Sequence, residues 1–457
     1  MALRIPAFLL IAATACGHGS PAAPPPPPAR DAQAADAALI ELPAQPLGLA
    51  DLQGFQWRKR AGQPAFRTAR KAEGREDWAA VAASCKEALA ADPTHLEAAW
   101  LDAVALAKTG HPEGVLAPLV TAGTGDYGKW ALASLDQPGL QAWLATPVGA
   151  AWRRRVEADR AGFLAAIGRA LVVKAHGDLY AFDAESSRFV RLTHSYGGVV
   201  GALPMRAQRR IAYVTHTKDG KLGVGLVNLM TGRTSHPIKV TGGALRLAAH
   251  PKGVALRIGT AWQVLDDDGH LKALSPPPKP TEWLDVKGRA ANLHRAPPDG
   301  ILGDFDDQGL ASAIRIGLTS RTITVPGQID GSTVAWSPDR GHLAFVAQLD
   351  DSCTKPNVVS AAAFVADPST GHVDELERAS GGLAIEWVSD RKLALAGDHG
   401  VELVELGGKP VALEGAEGLL APRRRPRCAQ AGEETPLPDE TGDDDVGDEG
   451  SDAPASP

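Results

Sequence analysis

The spacing of apolar residues changes period along the chain. Between about residues 66 and 168, apolar positions recur at helical intervals in an Ala-rich background. One such stripe, at i, i+4, i+7 and i+8, is formed by Val81, Cys85, Ala88 and Leu89. From about residue 169 to 420, short apolar runs alternate with turns, which is typical of strands. The pattern predicts a multidomain α plus all-β protein, with helices first.

Local signals predict the helix boundaries. Asp92-Pro93 ends one helix, Thr94-x-x-Glu97 reads as a capping box that opens the next, and Pro112 suits the start of a third. The second helix continues the stripe through Leu96, Trp100, Ala103 and Leu106. Cys85 on the first stripe is interpreted as a buried core residue rather than a nucleophile.

The region from Gly74 to about Leu119 resembles one and a half tetratricopeptide repeats. The resemblance implies a concave groove that binds another protein. Fewer than three repeats make a poor solenoid, so a helical cap packed against the next domain is an equal alternative.

The strand-rich region repeats. Trp336-Ser337-Pro338-Asp339 predicts a turn before the apolar run Leu343-Ala344-Phe345, and weaker copies recur every 40 to 50 residues. We expect Gly341 to take the positive φ of this turn, Leu343 and Phe345 to lie on a middle strand, and Trp336 to be buried between sheets. The runs after these turns begin at Leu171, Ile211, Val254, Ile301, Leu343 and Leu393. A four-strand unit at this period predicts a roughly six-bladed β-propeller. The fourth unit, residues 283–325, is barely recognisable, so seven blades or an incomplete ring stay open.

Two propeller families share features with these repeats. The turn at Trp336-Ser337-Pro338-Asp339 resembles the WD40-like repeat of TolB-type propellers. The segment from Asp178 to Arg188 is similar to the repeat of quinoprotein-like propellers, but Leu192 and Leu376 stand where that family has Trp. Both resemblances imply a propeller, and no cofactor is predicted.

The first residues read as an export signal. Arg4, an apolar run and Ala13-Thr14-Ala15 are typical of a signal peptide over residues 1–15. Cys16 follows at once and resembles the lipidated cysteine of a bacterial lipobox. The resemblance implies a membrane anchor on Cys16, an Ala/Pro-rich tether over residues 16–45, and a place in the bacterial cell envelope, on the periplasmic side or the cell surface. An unlipidated periplasmic protein is the alternative.

Charge is concentrated in the C-terminal tail, residues 430–457. Ten acidic residues and no basic one lie between Glu433 and Asp452. Without them the rest of the chain carries 47 − 44 = +3, so nucleic acid is not an expected partner. The tail is expected to be disordered and solvating. A clamp on the basic cluster of residues 423–427, or a partner-binding arm, is the alternative.

Two further cysteines fall in turn-rich segments. Cys353 lies in an insertion of the fifth repeat, and Cys428 follows the last one. In an oxidising compartment we expect them to form a disulfide. Two free thiols are the alternative.

The sequence contains no motif that is typical of a catalytic or metal-binding site. No nucleophile elbow, Walker loop or paired C-x-x-C appears, the histidines are scattered singly, and Asp266-Asp267-Asp268-Gly269 reads as an acidic turn. We therefore assign no catalytic, cofactor-binding or metal-binding residue.

The predicted function is that of a non-catalytic, lipid-anchored scaffold. It would bind an unidentified protein partner through the tetratricopeptide-like segment and a propeller face. The alternative is a propeller enzyme, a hydrolase or lyase acting on envelope sugars or peptides at the central channel. A convergent cluster of titratable residues at the channel mouth would favour the enzyme.

Overall fold

Helices occupy the first part of the described chain and antiparallel strands the rest, as the change of period predicts. The computed structural model describes residues 61–169, 171–184, 187–195, 198–217, 220–235, 237–241, 244–317, 319–349 and 361–424. Its α-helices are α1 (Gln63–Glu73), α2 (Trp78–Ala91), α3 (Leu96–Lys108), α4 (Leu116–Gly125), α5 (Leu132–Asp136), α6 (Gln141–Leu144) and α7 (Pro147–Arg169). Within these ranges, no helix has the length and apolar character needed to span a bilayer.

The start of α3 differs from the predicted capping box. His95 is the N-cap, and its Nδ1 accepts a hydrogen bond from the Ala98 amide at 3.2 Å. Thr94 instead donates its hydroxyl to Asp92 Oδ1 at 2.8 Å. The capping-box prediction was wrong because Thr94 serves the preceding turn. Pro112 opens a 3-10 turn (Pro112–Gly114) rather than α4 itself.

Helix α3 is buried on two sides. Its residues Leu101 and Ala105 pack with α1 and α2, while Val104 packs with the later helices. The predicted stripe residues Leu96, Trp100 and Leu106 are only half-buried, since the buried arc is wider than one stripe. In α2, the predicted positions Val81, Cys85 and Ala88 are fully buried.

The strands form five hydrogen-bonded sheets in the described chain. Sheet A contains β1 (Leu171–Ala175), β2 (Asp178–Asp183), β3 (Arg188–Arg191) and β26 (Gly418–Leu419). Sheet B contains β4 (Val199–Met205), β5 (Arg210–His216), β6 (Leu222–Asn228), β7 (Arg233–Thr234) and β8 (Ile238–Val240). Sheet C contains β9 (Ala244–His250), β10 (Gly253–Ile258), β11 (Ala261–Leu265), β12 (Leu271–Ala273), β13 (Glu282–Lys287) and β14 (Ala290–Arg295).

The remaining two sheets follow in order. Sheet D contains β15 (Ile301–Leu302), β16 (Leu310–Ile316), β17 (Arg321–Asp330), β18 (Ala335–Trp336), β19 (Leu343–Gln348), β20 (Ala361–Ala366) and β21 (Val373–Ala379). Sheet E contains β22 (Leu383–Trp387), β23 (Lys392–Gly397), β24 (Gly400–Glu405), β25 (Val411–Ala412) and β27 (Arg423–Arg424).

The sheets are arranged as in a propeller. Buried apolar clusters join A to B and to the helices, B to C, D to E, and E back to A. Strand β26 comes from the C-terminal part of the described chain, yet it pairs with β1, with Val173 opposite Leu419. The last strands therefore tie the first sheet to the last one.

The predicted six separate blades were not found, because the fourth repeat is divided between two sheets. Its strands β13 and β14 extend sheet C through the β9–β13 pairing. Its strands β15 to β17 join sheet D through the β17–β19 pairing. The repeat that the sequence made hardest to recognise is thus the one that does not form a sheet of its own.

The Trp336 hairpin forms with two differences. Leu343 and Phe345 are fully buried on β19, a middle strand of sheet D, but Trp336 is only half-buried. In the turn, Arg340 rather than Gly341 has the positive φ, at 59°. A non-glycine residue in this region costs about 1 kcal/mol. The Ser337 hydroxyl accepts the His342 amide at 2.9 Å and supports the turn.

Candidate functional site

Charged and polar side chains from four of the five sheets form two contact groups, one around Arg206 and one around Arg424, which strand β22 joins. We call this set the central cluster; it consists of Arg206, Glu282, Arg295, Asp330, Gln348, Glu386 and Arg424. In a radial arrangement of sheets, side chains of several sheets converge at the axis. The central cluster therefore occupies the place where a propeller ligand would bind.

One half of the central cluster joins sheets B, C and E. Arg206, which follows β4, donates to Glu386 on β22. Arg295 Nε and Nη2 both donate to Glu282 Oε1, at 3.0 and 2.8 Å. Removal from water and the Arg295 charge lower the pKa of Arg206, while Glu282 opposes this. The two ion pairs thus belong to one electrostatic group.

The other half joins sheets D and E. Arg424 Nη2 donates to Gln348 Oε1 at 2.6 Å, and its Nη1 lies 3.8 Å from Asp330 Oδ2. Asp330 is 5% exposed. Burial raises its pKa, although hydrogen bonds from Ser332 and the Arg424 charge lower it in part. Burial therefore disfavours the ionisation of this carboxyl.

Two buried atoms of the central cluster are unsatisfied by protein groups. Glu386 Oε2 and Arg424 Nε each have no hydrogen-bond partner. One is an acceptor and the other a donor, and an unpaired buried polar group is costly. The central cluster can therefore accept a small polar molecule, water included, at these two atoms.

A polar cleft lies beside the central cluster on sheet C. Asp285 accepts from Arg246 Nε and Nη2 at 2.6 and 2.8 Å and from Trp283 Nε1 at 3.2 Å. His294 Nε2 lies 3.4 Å from Asp285 and its ring stacks on Trp283 at 5.1 Å. Among the described residues, no buried apolar cluster joins sheets C and D. This part of the ring therefore has a hydrophilic face in place of apolar packing.

Two cavities are open to solvent. One, of about 320 Å³, lies on sheet C and is lined by Arg246, Arg257, Asp285, Lys287 and Asn292 among others. The second, of about 460 Å³, is a groove between α2 and α3. Its floor is made by Ala79, Ala82 and Ala83, and its edges by Lys86, Asp102, Leu106, Thr109 and His111.

Asp102 is the unusual group in the α2–α3 groove. Burial raises its pKa from 3.8 to about 6, although the Lys86 charge opposes the shift. Neither a hydrogen bond nor an ion pair holds this carboxyl within the part of the chain that the structure describes. A polar ligand group in the groove could bind it.

The residues singled out from the sequence fall into two groups. Cys16, Cys353 and Cys428 lie outside the described residues, so the anchor and the disulfide stay predictions. Cys85 is fully buried, and burial raises its pKa to about 12, as expected of a core thiol.

The acidic turn on sheet C has a local explanation. Ligand atoms of Asp266, Asp268 and His270 lie within 4.8 Å of one another. However, Asp266 Oδ1 already accepts the His270 amide at 2.8 Å, and its Oδ2 accepts Lys272 Nζ at 2.9 Å. The Asp266 carboxylate therefore stabilises the turn.

The sequence matches no described protein family, and no curated protein shows significant similarity to it. Among solved structures, the chain is similar to TolB from Acinetobacter baumannii, at 16% identity and a TM-score of 0.31, over 55% of this chain and 65% of that one. It is also similar to a putative 6-phosphogluconolactonase from Bacteroides fragilis, at 11% identity and a TM-score of 0.30, over 55% and 95% of the chains. A third is an oligogalacturonate lyase from Vibrio parahaemolyticus, at 12% identity and a TM-score of 0.23, over 53% of this chain and 78% of that one. Similarities this remote carry no argument about activity or ligand.

Proposed function

We propose that this protein is a non-catalytic scaffold of the bacterial cell envelope, anchored through a lipid on Cys16, that binds another protein. The observation that carries the proposal is the α2–α3 groove. An alanine floor of about 460 Å³ between charged edges suits a segment of a partner protein. The helical region is fixed to sheets A and B by a shared buried core, so it would present the groove rigidly.

The pairing within the central cluster supports the absence of catalysis. Arg206 with Glu386, Glu282 with Arg295, and Asp330 with Arg424 neutralise one another. A general acid or base needs a free proton-transfer position. Two of these ion pairs, Arg206 with Glu386 and Asp330 with Arg424, join different sheets and so serve instead to hold the sheets together.

A photo-crosslinking amino acid at Ala83 of the full-length chain, expressed in bacteria, tests the binding role. Ala83 is exposed in the groove, and the matched control is exposed Ala165 on α7. We expect a discrete cross-linked partner from position 83 and none from 165. Ala79→Arg should abolish binding of that partner. Identical products from positions 83 and 165 would refute a groove-specific partner.

The location is tested separately. Cys16→Ser should move the protein from the membrane fraction to the soluble periplasmic fraction. A variant that stays with the membranes after a salt wash would contradict anchoring through Cys16.

The alternative, a propeller hydrolase or lyase acting on envelope sugars or peptides, is favoured by one observation. Asp330 is a buried carboxyl at the axis whose pKa is raised by burial, which suits a general acid, although the Arg424 charge opposes the shift. Turnover of an envelope saccharide or peptide that is lost in Asp330→Asn but retained in Asp307→Asn, an exposed control, would support this function over the scaffold.

A further inference from the structure

The cavity on sheet C has a cationic edge. Arg246, Arg257 and Lys287 line it and are called the basic rim; Asp285 is the carboxylate among the lining residues. Asp285 is engaged by Arg246 in a two-point ion pair. Arg257 and Lys287 are exposed, and neither has an ion-pair partner within the described ranges. The basic rim therefore has two positive charges that the neighbouring protein does not neutralise.

The described chain ends close to this cavity. Arg424 lies 3.8 Å from Asp330, and Asp330 interacts electrostatically with His294. His294 lies 3.4 Å from Asp285, which binds Arg246 of the basic rim at 2.6 Å. Two short polar contacts and one longer-range electrostatic interaction, between Asp330 and His294, thus connect the last described residue with the cavity.

The last described residue, Arg424, and the cavity on sheet C also lie at the same end of the sheets, which the direction of three strands shows. Arg206 directly follows β4 and contacts Glu386, the penultimate residue of β22, so these two strands end on one side. Arg206 also interacts electrostatically with Glu282. Glu282 precedes Trp283, which pairs with Ala248, so Glu282 lies near the last residues of β9. Strands β4, β9 and β22 therefore begin on the opposite side.

The described chain ends, and the cavity opens, on this opposite side. Arg424 pairs with Leu383, the first residue of β22. Ala244, the first residue of β9, lines the cavity. From Arg424 to Glu433 the chain has nine residues, which can span about 30 Å when extended. The acidic residues that follow can therefore reach the basic rim.

We propose that the acidic tail of this chain, Glu433 to Asp452, occupies the cavity on sheet C and pairs with the basic rim. The tail supplies ten negative charges and no positive one, and the body that would receive it carries a small net positive charge. Opposite charges at close range attract, most strongly at low salt. The proposal involves sheet C and not the α2–α3 groove, so it is independent of the proposed function.

Occupation by the tail has a consequence for other ligands. An acidic partner would compete with the tail for the basic rim, and the tethered tail has the advantage of a high local concentration. The tail would thus exclude from this surface those acidic molecules that bind the basic rim only weakly.

Zero-length carbodiimide cross-linking of the full-length protein tests the proposal. The reagent joins a lysine amine to a carboxylate only when they are in contact, and Lys287 belongs to the basic rim. The control is Lys409, an exposed lysine on sheet E. We expect Lys287 linked to peptides from residues 433–452, little linkage at Lys409, and loss of the Lys287 product in 1 M salt, where the screening length is about 3 Å.

A charge reversal makes the test sharper. Arg257→Glu keeps Lys287 but places a repulsive charge in the basic rim, and it should lower the Lys287 yield about fivefold. Arg315→Glu, at an exposed position on sheet D, should leave the yield unchanged. Equal linkage of Lys287 and Lys409, or a yield insensitive to Arg257→Glu, would overturn the proposal. In an equimolar mixture of isotope-labelled and unlabelled protein, a link within one chain gives no mixed product, so mixed products at the level expected for random pairing of copies would overturn the proposal as well.

Discussion

His194 Nε2 lies 2.7 Å from Asp126 Oδ2, across the boundary between the helical region and sheet A. Asp126 follows α4, is 2% exposed and also accepts the Lys129 amide at 3.1 Å. Burial alone would raise the pKa of Asp126, but its interaction with His194 and the charges of Arg191 and Lys129 bring it below its usual range, while burial lowers the pKa of His194 itself. The pair therefore holds the helices on the first sheet.

Removing this pair should destabilise the fold. Asp126→Ala leaves His194 and the Lys129 amide without their acceptor, which we expect to lower the free energy of unfolding by about 3 kcal/mol. Urea denaturation followed by tryptophan fluorescence measures it. Asp136→Ala, at a side chain 78% exposed, is the control and should cost little. A full double-mutant cycle with His194→Ala that shows no coupling would contradict the link.

Arg424→Ala should also destabilise the protein, because it removes the contacts of Arg424 with sheet D. It leaves the buried Asp330 without a cation and Gln348 without its donor. We expect a loss of about 2 to 3 kcal/mol in the same urea assay. Arg315→Ala, on an exposed part of β16, should have almost no effect. Equal stability of the two variants would show that Arg424 does not hold the axis together.

Truncations in the Trp336 hairpin should follow burial rather than residue size. Phe345 is fully buried and stacks on Phe364 at 5.7 Å, so Phe345→Ala should cost about 3 to 5 kcal/mol. Trp336 is half-buried, so Trp336→Ala should cost only about 1 to 3 kcal/mol. Thermal unfolding compares the two, and a larger loss for Trp336→Ala would contradict the deeper burial of Phe345.

Asp102→Asn should stabilise the protein in a pH-dependent way. The folded-state pKa is raised to about 6 from 3.8, so folding favours the protonated acid. Any stability from this group is present below pH 4 and is lost as pH rises through 6. The Asn variant should match the wild type at pH 4 and exceed it by about 1 kcal/mol at pH 7.5, after allowance for partial exposure. Asp307→Asn, an exposed control, should show no such trend.

The predicted disulfide between Cys353 and Cys428 can be tested by mass spectrometry of non-reduced peptides from exported protein. We expect one linked peptide pair that disappears on reduction. Closing a loop of about 75 residues would contribute roughly 4 kcal/mol in the chain-entropy estimate. Recovery of both cysteines as free thiols under oxidising conditions would contradict the pairing.

The sequence predicted the features that depend on local periodicity. The helical spacing of Val81, Cys85 and Ala88 and the alternation around Leu343 and Phe345 both correspond to buried faces in the structure. The position of Trp336 was less predictable, because its burial depends on how far a two-residue strand extends into the sheet.

The central cluster could not have been predicted. Arg206 and Glu386 are separated by 180 residues and occur in no motif. Their contact arises from the closure of the ring, which no local pattern encodes. The division of the fourth repeat has the same origin, because strand pairing across repeats decides which sheet receives β13 and which receives β17.

The pairing of β26 with β1 has a consequence for the order of folding. The His176 amide donates to the Glu417 carboxylate across 241 residues of sequence. During synthesis the N-terminal residues emerge first, so one edge of β1 stays without its partner until nearly the whole described chain has been made. Contacts this distant in sequence form slowly. Interrupted synthesis would therefore produce a chain with an open strand edge, which a quality-control protease or chaperone could recognise.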